Sequence, residues 1–265
     1  MILPFERIGG AVTGWARVFI DFSHLSAETV YWLVMGPFKK KPLHVPMVFE
    51  QMVFMGLQSI VIVFFVMFFT GIVLAMQSAP QLKQMGGLIY VASLVTISIC
   101  RELGPVLTAL VIAGRIGAAI TAEIGSMKVN EQIEALDTMA ISPVRYLVVP
   151  KLLALFVMLP CLTVIGDISG LLGGYVIGVH NLKINSGLYV QTALKFLTLK
   201  DIYTGLSKSF IFALIITMVG AYQGLKTQGG AVGVGRATTI SVVTSFILII
   251  IADAIMTGIY FFSGY

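Results

Sequence analysis

The chain has 265 residues, of which 58% are hydrophobic and only 11% are charged. A soluble globular domain carries about 25% charged residues, because it needs charge to cover its surface. The composition therefore excludes an ordinary soluble domain and predicts an integral membrane protein. The net charge of +5 does not indicate binding of nucleic acid, because the basic residues are dispersed and lie largely in loops between apolar segments.

Five apolar runs are each long enough to cross a bilayer, for which a helix needs about 20 residues. They cover residues 57–76, 88–114, 152–179, 202–224 and 240–262. Each run is expected to be helical, because a segment in lipid must satisfy its own backbone hydrogen bonds. The sequence thus predicts an all-α integral membrane protein with one membrane domain over residues 1–265, whose transmembrane helices lie within 48–262.

The basic residues are unevenly divided between the two sides of these runs. Eleven Lys and Arg residues lie before the first run, between the second and third, and between the fourth and fifth. The opposite side carries four, which are Lys83, Lys183, Lys195 and Lys200. Because cytoplasmic loops are enriched in Lys and Arg, we expect the N-terminus in the cytoplasm and the C-terminus in the periplasm.

Residues 1–40 precede the first run and show a helical period. Their apolar side chains recur at steps of four and three residues, at Ile8, Val12, Trp15, Phe19 and Phe22. This pattern predicts an amphipathic helix in the membrane interface, and a helix packed on a partner subunit is the alternative. A basic cluster follows it, formed by Lys39, Lys40 and Lys41, and is expected near anionic headgroups.

Five charged residues lie inside the apolar runs: Arg101, Glu102, Asp167, Lys208 and Asp253. Charges at membrane depth are costly and usually face a protein interior or a water-filled cavity. We hypothesise that Glu102 and Asp253 pair with Lys208 and Arg101. Two interpretations stay open, a polar lining or gate of a substrate cavity and a static cluster of salt bridges.

Small residues and a proline shape two of the runs. Gly104 and Pro105 follow the charged pair of the second run, where proline is expected to bend the helix. The third run has a glycine at every fourth position, at Gly166, Gly170, Gly174 and Gly178. This spacing predicts a groove for close helix packing, although glycine is common in membrane helices generally.

The stretch 122–151 is the longest polar segment on the predicted cytoplasmic side. Its acidic residues are Glu123, Glu131, Glu134 and Asp137. A short helix is predicted near 123–140, with Asn130 as a plausible N-cap, one face formed by Ile133, Leu136 and Ala140, and its end at Pro143. Such an acidic amphipathic helix suits docking into a groove of another protein, and a plain solvated connector is the alternative.

Three stretches carry a resemblance to a known family. They are RELGPVLTALVIAGRIGAAITAEIGSMKVNEQIEALDTMAISPVRYLVVPK at 101–151, GLSKSFIFALI from Gly205 and GLKTQGGAVGVGRATT from Gly224. The chain resembles the MlaE-type permease family over nearly all residues beyond 40.

The resemblance implies half of a homodimeric ABC permease in a bacterial inner membrane. The helix near 123–139 would be the coupling helix, seated on a cytoplasmic ATPase. Further partners would be a membrane-anchored periplasmic MCE-domain protein and a small STAS-domain protein on the ATPase. The substrate would be phospholipid, moved between inner and outer membranes to maintain outer-membrane asymmetry.

The same resemblance assigns individual residues. The buried polar residues of the family match Arg101, Glu102, Lys208 and Asp253, and Leu103 would line the lipid pocket.

The chain has no nucleotide-binding motif of its own, because no G-x-x-x-x-G-K-[ST] occurs. The glycines at 229, 230, 233 and 235 are instead expected to form a flexible cytoplasmic turn. We therefore expect a transporter subunit that is not an enzyme and binds no cofactor, with ATP used by the partner ATPase.

Three other function classes compete with this interpretation. An ion-coupled secondary transporter would use the intramembrane carboxylates as ion sites, but no inverted repeat is found. An intramembrane metalloenzyme is disfavoured because His24, His44 and His180 all lie outside the apolar runs, so no metal site is expected. A non-transporting scaffold stays open.

Overall fold

The structure, a computed structural model, describes residues 4–35 and 45–263, with side chains from residue 20 onward. Within these ranges the regular structure is helical and contains no strand. The α-helices are α1 Pro4–Met35, α2 Val45–Met55, α3 Ile60–Gln84, α4 Val91–Ser98, α5 Gly104–Ile112, α6 Ala118–Val129, α7 Gln132–Thr138, α8 Val149–Val176, α9 Ser186–Phe196, α10 Leu199–Leu225 and α11 Gly230–Phe262.

Five of the described helical segments are long and apolar enough to cross a membrane, which confirms the predicted all-α membrane architecture. Span one is Val45–Gln84, span two Leu88–Val129, span three Val144–Asn181, span four Leu199–Leu225 and span five Gly230–Phe262. Spans one, two and three combine α-helices with short 3₁₀ or π-helical turns. Each span includes the apolar run that predicted it and extends beyond that run at one end or both.

Span three occupies the middle of the bundle and packs most extensively on span one. The contact between them depends on glycine. A Cβ added to Gly71 of span one would lie 1.9 Å from the backbone oxygen of Gly170, and one added to Gly173 would lie 2.0 Å from that of Phe68. The two backbones therefore touch directly, as the seams of small residues in membrane helices allow.

The four glycines of the predicted groove all lie at contacts with neighbouring elements. Gly166 and Gly170 face both span one and span two, and Gly174 faces span two. Gly178 lies against the ring of Tyr189 in α9.

Span two is irregular where proline predicts a bend. A π-helical turn covers Ile99–Leu103, and the Gly104 N–H donates to the carbonyl of Ile99. Pro105 follows directly and has no N–H to continue the α-helical pattern. The widened turn carries both Arg101 and Glu102, so the irregularity determines where these two charges point.

The N-terminal helix α1 packs on its own chain over its C-terminal half. Phe22 makes an edge-to-face contact with Tyr222 of span four at 5.7 Å between ring centroids. Asp21 pairs with Lys226 at 2.6 Å, just beyond the end of span four. The predicted apolar face at Ile8 to Phe19 lies outside the described side chains, and the cluster of three lysines at 39–41 lies outside the described residues.

The predicted helix near 123–140 is two helices. The first, α6, continues span two to Val129, and the chain then turns at Glu131, whose φ of 57° is left-handed. The second is the seven-residue α7. Asn130 is not its N-cap, because Asn130 follows the end of α6 and its side chain donates to Ser126. Pro143 is not its end either, because α7 stops at Thr138 and Pro143 precedes the first turn of span three.

Only part of the predicted apolar face of α7 is covered. Ile133 is buried and Leu136 is partly buried against the core, whereas Ala140 is exposed. Ile133 and Leu136 therefore pack against the core of their own chain, and the exposed side of α7 carries its acidic residues.

The glycine-rich segment after span four is also more ordered than predicted. Gly229 adopts a left-handed φ of 89° at the N-cap, and α11 begins at Gly230. Gly233 and Gly235 therefore belong to span five, and the turn is confined to the few residues before it.

Candidate functional site

Lys208 lies at the centre of a polar cluster between spans two, four and five. Its side chain is 1% exposed. The ammonium donates to the Glu102 carboxylate and to Thr257 Oγ1, the latter at 2.8 Å. It also lies 2.8 Å from Asp253 Oδ1, as an ion pair rather than an aligned hydrogen bond. Thr257 donates in turn toward the Glu102 carboxylate, whose oxygens lie 3.2 Å away.

The cluster is buried on one side and open on the other. Glu102 is 34% exposed and Asp253 21% exposed, whereas Lys208 is enclosed. Two carboxylates face one ammonium, so the three groups carry a net charge of −1 when all are ionised. An enclosed ammonium is tolerated only with such partners, because an unpaired buried charge is strongly destabilising.

Arg101 does not join this cluster, contrary to the hypothesis that it pairs with Glu102 or Asp253. Its guanidinium binds Asp201 at the start of span four, with Nε 2.9 Å from Oδ1. Asp201 is the N3 residue of a capping box and also accepts from the backbone N–H and hydroxyl of Thr198. The Arg101 side chain, 47% exposed, therefore lies beside the cluster with a partner of its own.

A cavity of about 90 Å³ opens at the cluster. Its walls comprise Arg101, Glu102, Thr204, Lys208, Thr257, Tyr260 and Phe261. Leu103 is partly buried and is not among these residues. The sequence-based prediction did not include Thr257 or Tyr260, although Thr257 lies one helical turn after Asp253, where side chains share a face.

Asp167 lies apart from the cluster. Its carboxylate packs against Gly104, where an added Cβ would lie 1.8 Å from Oδ1. That oxygen is buried and has no hydrogen-bond partner among the described residues. Asp167 thus contacts the backbone just beyond the π-helical turn that carries Glu102, but it does not contact Lys208.

The acidic residues predicted for docking fall into two groups. Glu123 lies in α6 and forms an ion pair with Lys151, whose ammonium is fully buried and lies 2.7 Å and 2.8 Å from the two carboxylate oxygens. It therefore joins spans two and three and is not part of α7.

Three acidic residues are exposed at α7: Glu131 directly precedes the helix, and Glu134 and Asp137 lie on it. Glu134 accepts a hydrogen bond from Lys128, which lowers the pKa of its carboxyl. These three residues form the acidic surface of this end of the bundle.

The described residues hold no group of His, Cys, Asp and Glu that could bind a metal ion.

Comparison with known proteins places the chain in a family. Residues 48–259 match the family described as Permease MlaE. A probable ABC transporter permease protein of Rickettsia typhi is 42% identical over 92% of this chain and 91% of its own length. A probable ABC transporter permease protein of Synechocystis is 40% identical over 80% of this chain and 81% of its own length.

A relative with a more specific name covers almost the whole chain. The intermembrane phospholipid transport system permease protein MlaE of Haemophilus influenzae is 34% identical over 96% of this chain and 98% of its own length. The matched region includes all the residues of the polar cluster, from Glu102 in span two to Thr257 in span five. This chain belongs to the MlaE permease family of ABC transporter permeases.

Proposed function

We propose that the chain is the membrane-spanning subunit of an ATP-driven transporter that moves phospholipid between the inner and outer membranes of a bacterium and so maintains outer-membrane asymmetry. The observation that carries the proposal is the half-open polar cluster around Lys208 in a chain of this family. A buried ammonium with two partly exposed carboxylates suits a site whose contents change during a transport cycle. The phospholipid itself comes from the name of the Haemophilus relative.

The size of the cavity supports a second copy of the chain in the complex. Sites for small molecules commonly enclose about 300–1,000 Å³, whereas the cavity at the cluster encloses about 90 Å³. Span five, which supplies Asp253 and Thr257, is largely exposed, with only 17% of its most apolar stretch buried. A homodimer in which two such spans face each other would enlarge the cavity to the size a lipid needs.

The energy source and remaining partners are part of the same proposal. The ATPase would dock at α7, where Glu131, Glu134 and Asp137 are exposed while Ile133 anchors the helix to the core. The ion pair of Glu123 with Lys151 would transmit movement of this region to spans two and three. A periplasmic MCE-domain protein and a small STAS-domain protein complete the proposed complex, on the strength of the sequence resemblance.

The first test is transport by the reconstituted complex. The chain would be co-expressed with the ATPase that co-purifies with it, placed in liposomes and assayed for movement of fluorescent phospholipid with and without ATP. We expect ATP-dependent movement in the wild type and its loss in Lys208→Met. Lys195→Ala is the matched control, because Lys195 is exposed on α9 and away from the cluster.

One outcome would overturn the proposal, and another would remove the polar cluster as its structural basis. Phospholipid movement that ignores ATP and follows a proton or sodium gradient would identify an ion-coupled transporter. Normal ATP-driven transport by Lys208→Met, at normal protein levels, would show that the cluster only stabilises the fold.

A further inference from the structure

A second cleft, of about 590 Å³, lies where span one and span three end, at the end of the bundle away from α7. Its walls are largely apolar and include Met76, Ala79, Ile177 and Leu182. Its rim carries Lys83 from the last turn of α3 and Lys183 from the turn that follows span three. The cleft shares no residue with the polar cluster around Lys208.

The two rim lysines have no acidic partner among the residues that the structure describes. Neither forms an ion pair or a hydrogen bond through its ammonium with any residue that the structure describes. Residues 77–100 and 168–200, which form this end of spans one, two and three, contain no Asp or Glu. Two like charges facing one cleft favour an anion supplied from outside the chain.

The position of Lys183 is fixed by its backbone. Its φ of 55° is left-handed, a conformation that helix ends usually reserve for glycine. The N–H of Ile184 donates to the carbonyl of Gly178 at 3.1 Å, and Ile184 is buried beside Tyr189. This conformation fixes the direction in which the chain leaves span three and so the place of Lys183 at the rim.

The cleft has the same polarity order as a membrane lipid. Met76 lies seven residues before Lys83 in one helix, so the apolar wall extends about 10 Å below the charged rim at 1.5 Å per residue. Ile177 lies six residues before Lys183 and lines the facing wall. Lysines at the ends of spans place their ammonium groups at headgroup level and their stems along apolar surface.

We propose that this cleft binds an anionic phospholipid, with its phosphate between Lys83 and Lys183 and an acyl chain against the apolar wall. The charge of the rim selects the headgroup, and the depth of the wall accommodates the chain. The proposal requires a membrane environment but not transport activity, so it stands or falls separately from the proposed function.

The test counts retained lipids on the intact protein. The full chain, with whatever subunits co-purify, is placed in nanodiscs of equal phosphatidylglycerol and phosphatidylcholine, and native mass spectrometry measures the lipids that stay bound. We expect the double variant Lys83→Gln/Lys183→Gln to lose one phosphatidylglycerol per chain relative to the wild type. Lys83→Arg/Lys183→Arg should keep it, and Lys195→Gln is the matched control at the same end of the bundle.

Several results would contradict the proposal. One is an unchanged phosphatidylglycerol count in the double Gln variant at an unchanged melting temperature. Another is equal retention of phosphatidylcholine at the cleft. Binding of inorganic phosphate that the double variant loses, without any change in lipid count, would assign the cleft to a free anion. Release of a co-purified subunit at constant lipid count would assign it to a protein contact.

Discussion

The contact between spans one and three predicts that Gly→Ala changes within it are strongly destabilising. In Gly71→Ala, the new methyl group would lie 1.9 Å from the backbone oxygen of Gly170, about 1.5 Å short of ordinary van der Waals contact at 3.4 Å. Neither helix can relieve this clash by turning a side chain, because the obstructing atom is backbone. The two spans must therefore separate over part of the most extensive contact in the bundle.

The expected cost follows from that geometry. Overpacking of a well-packed interior costs about 1–3 kcal/mol, and separation of the helices also removes contacts on either side of the methyl group. We expect Gly71→Ala to lie at or above the upper end of this range. Gly173→Ala, which meets the backbone oxygen of Phe68 at 2.0 Å, should behave in the same way.

The control is Gly235→Ala in span five. An added Cβ there meets nothing within 4 Å, and alanine is the better helix former by about 0.8–1 kcal/mol. Thermal unfolding of detergent-solubilised protein, followed by fluorescence-detected size exclusion, measures all three variants. A melting temperature for Gly71→Ala equal to that of the wild type would refute the close approach of the two backbones.

Three further predictions concern single side chains. Glu123→Gln should lower stability by less than about 3 kcal/mol, because it leaves the buried Lys151 ammonium without an ion-pair partner while water still reaches the half-exposed position of the carboxyl. Thermal unfolding of this variant and of Glu123→Gln/Lys151→Met checks the prediction, and the double variant should recover stability. The hydrogen bond from Lys226 to Asp21 raises the pKa of Lys226. At pH values below the ordinary lysine pKa, this exposed pair should stabilise the packing of α1 by at most about 1 kcal/mol, and this contribution should be lost as pH rises through the raised pKa. The melting temperatures of Lys226→Ala and the wild type should therefore converge at alkaline pH. Arg115→Leu should loosen the junction of α2 and α3, because Arg115 donates there to Ser59 and to a backbone carbonyl; faster proteolysis at that junction than in wild type is the expected readout.

The five spans could be predicted because each contains a long apolar run with too few charged residues for a helix exposed to water. Their ends could not. Hydropathy alone places the end of the second run at Gly114, before Arg115 and Glu123, whereas the helix continues to Val129. Arg115 is satisfied by Ser59 on span one, and Glu123 by Lys151 on span three. Such partners lie far away in sequence, so the sequence alone does not show whether a charge has a partner.

The candidate site shows the same division. The sequence indicates that Glu102, Lys208 and Asp253 need partners, because charges at membrane depth are costly. It does not indicate which partner each one takes, and Arg101 binds Asp201 instead of a member of the cluster. The T-x-x-D spacing of Thr198 and Asp201 marks a helix start in the manner of a capping box, and that pattern could have identified Asp201 as a fixed carboxylate near the start of span four.

The π-helical turn of span two connects the fold to the proposed chemistry. The π turn at Ile99–Leu103 has more residues per turn than an α-helix. If this segment were a regular α-helix, the part of span two before it would be rotated by part of a turn relative to the part after it. With the π turn, Arg101 reaches Asp201 while the adjacent Glu102 reaches Lys208. Gly205 of span four fits against the same turn, where an added Cβ would lie 2.1 Å from the carbonyl oxygen of Cys100. One irregular turn therefore sets the partners of two neighbouring charges and the approach of span four.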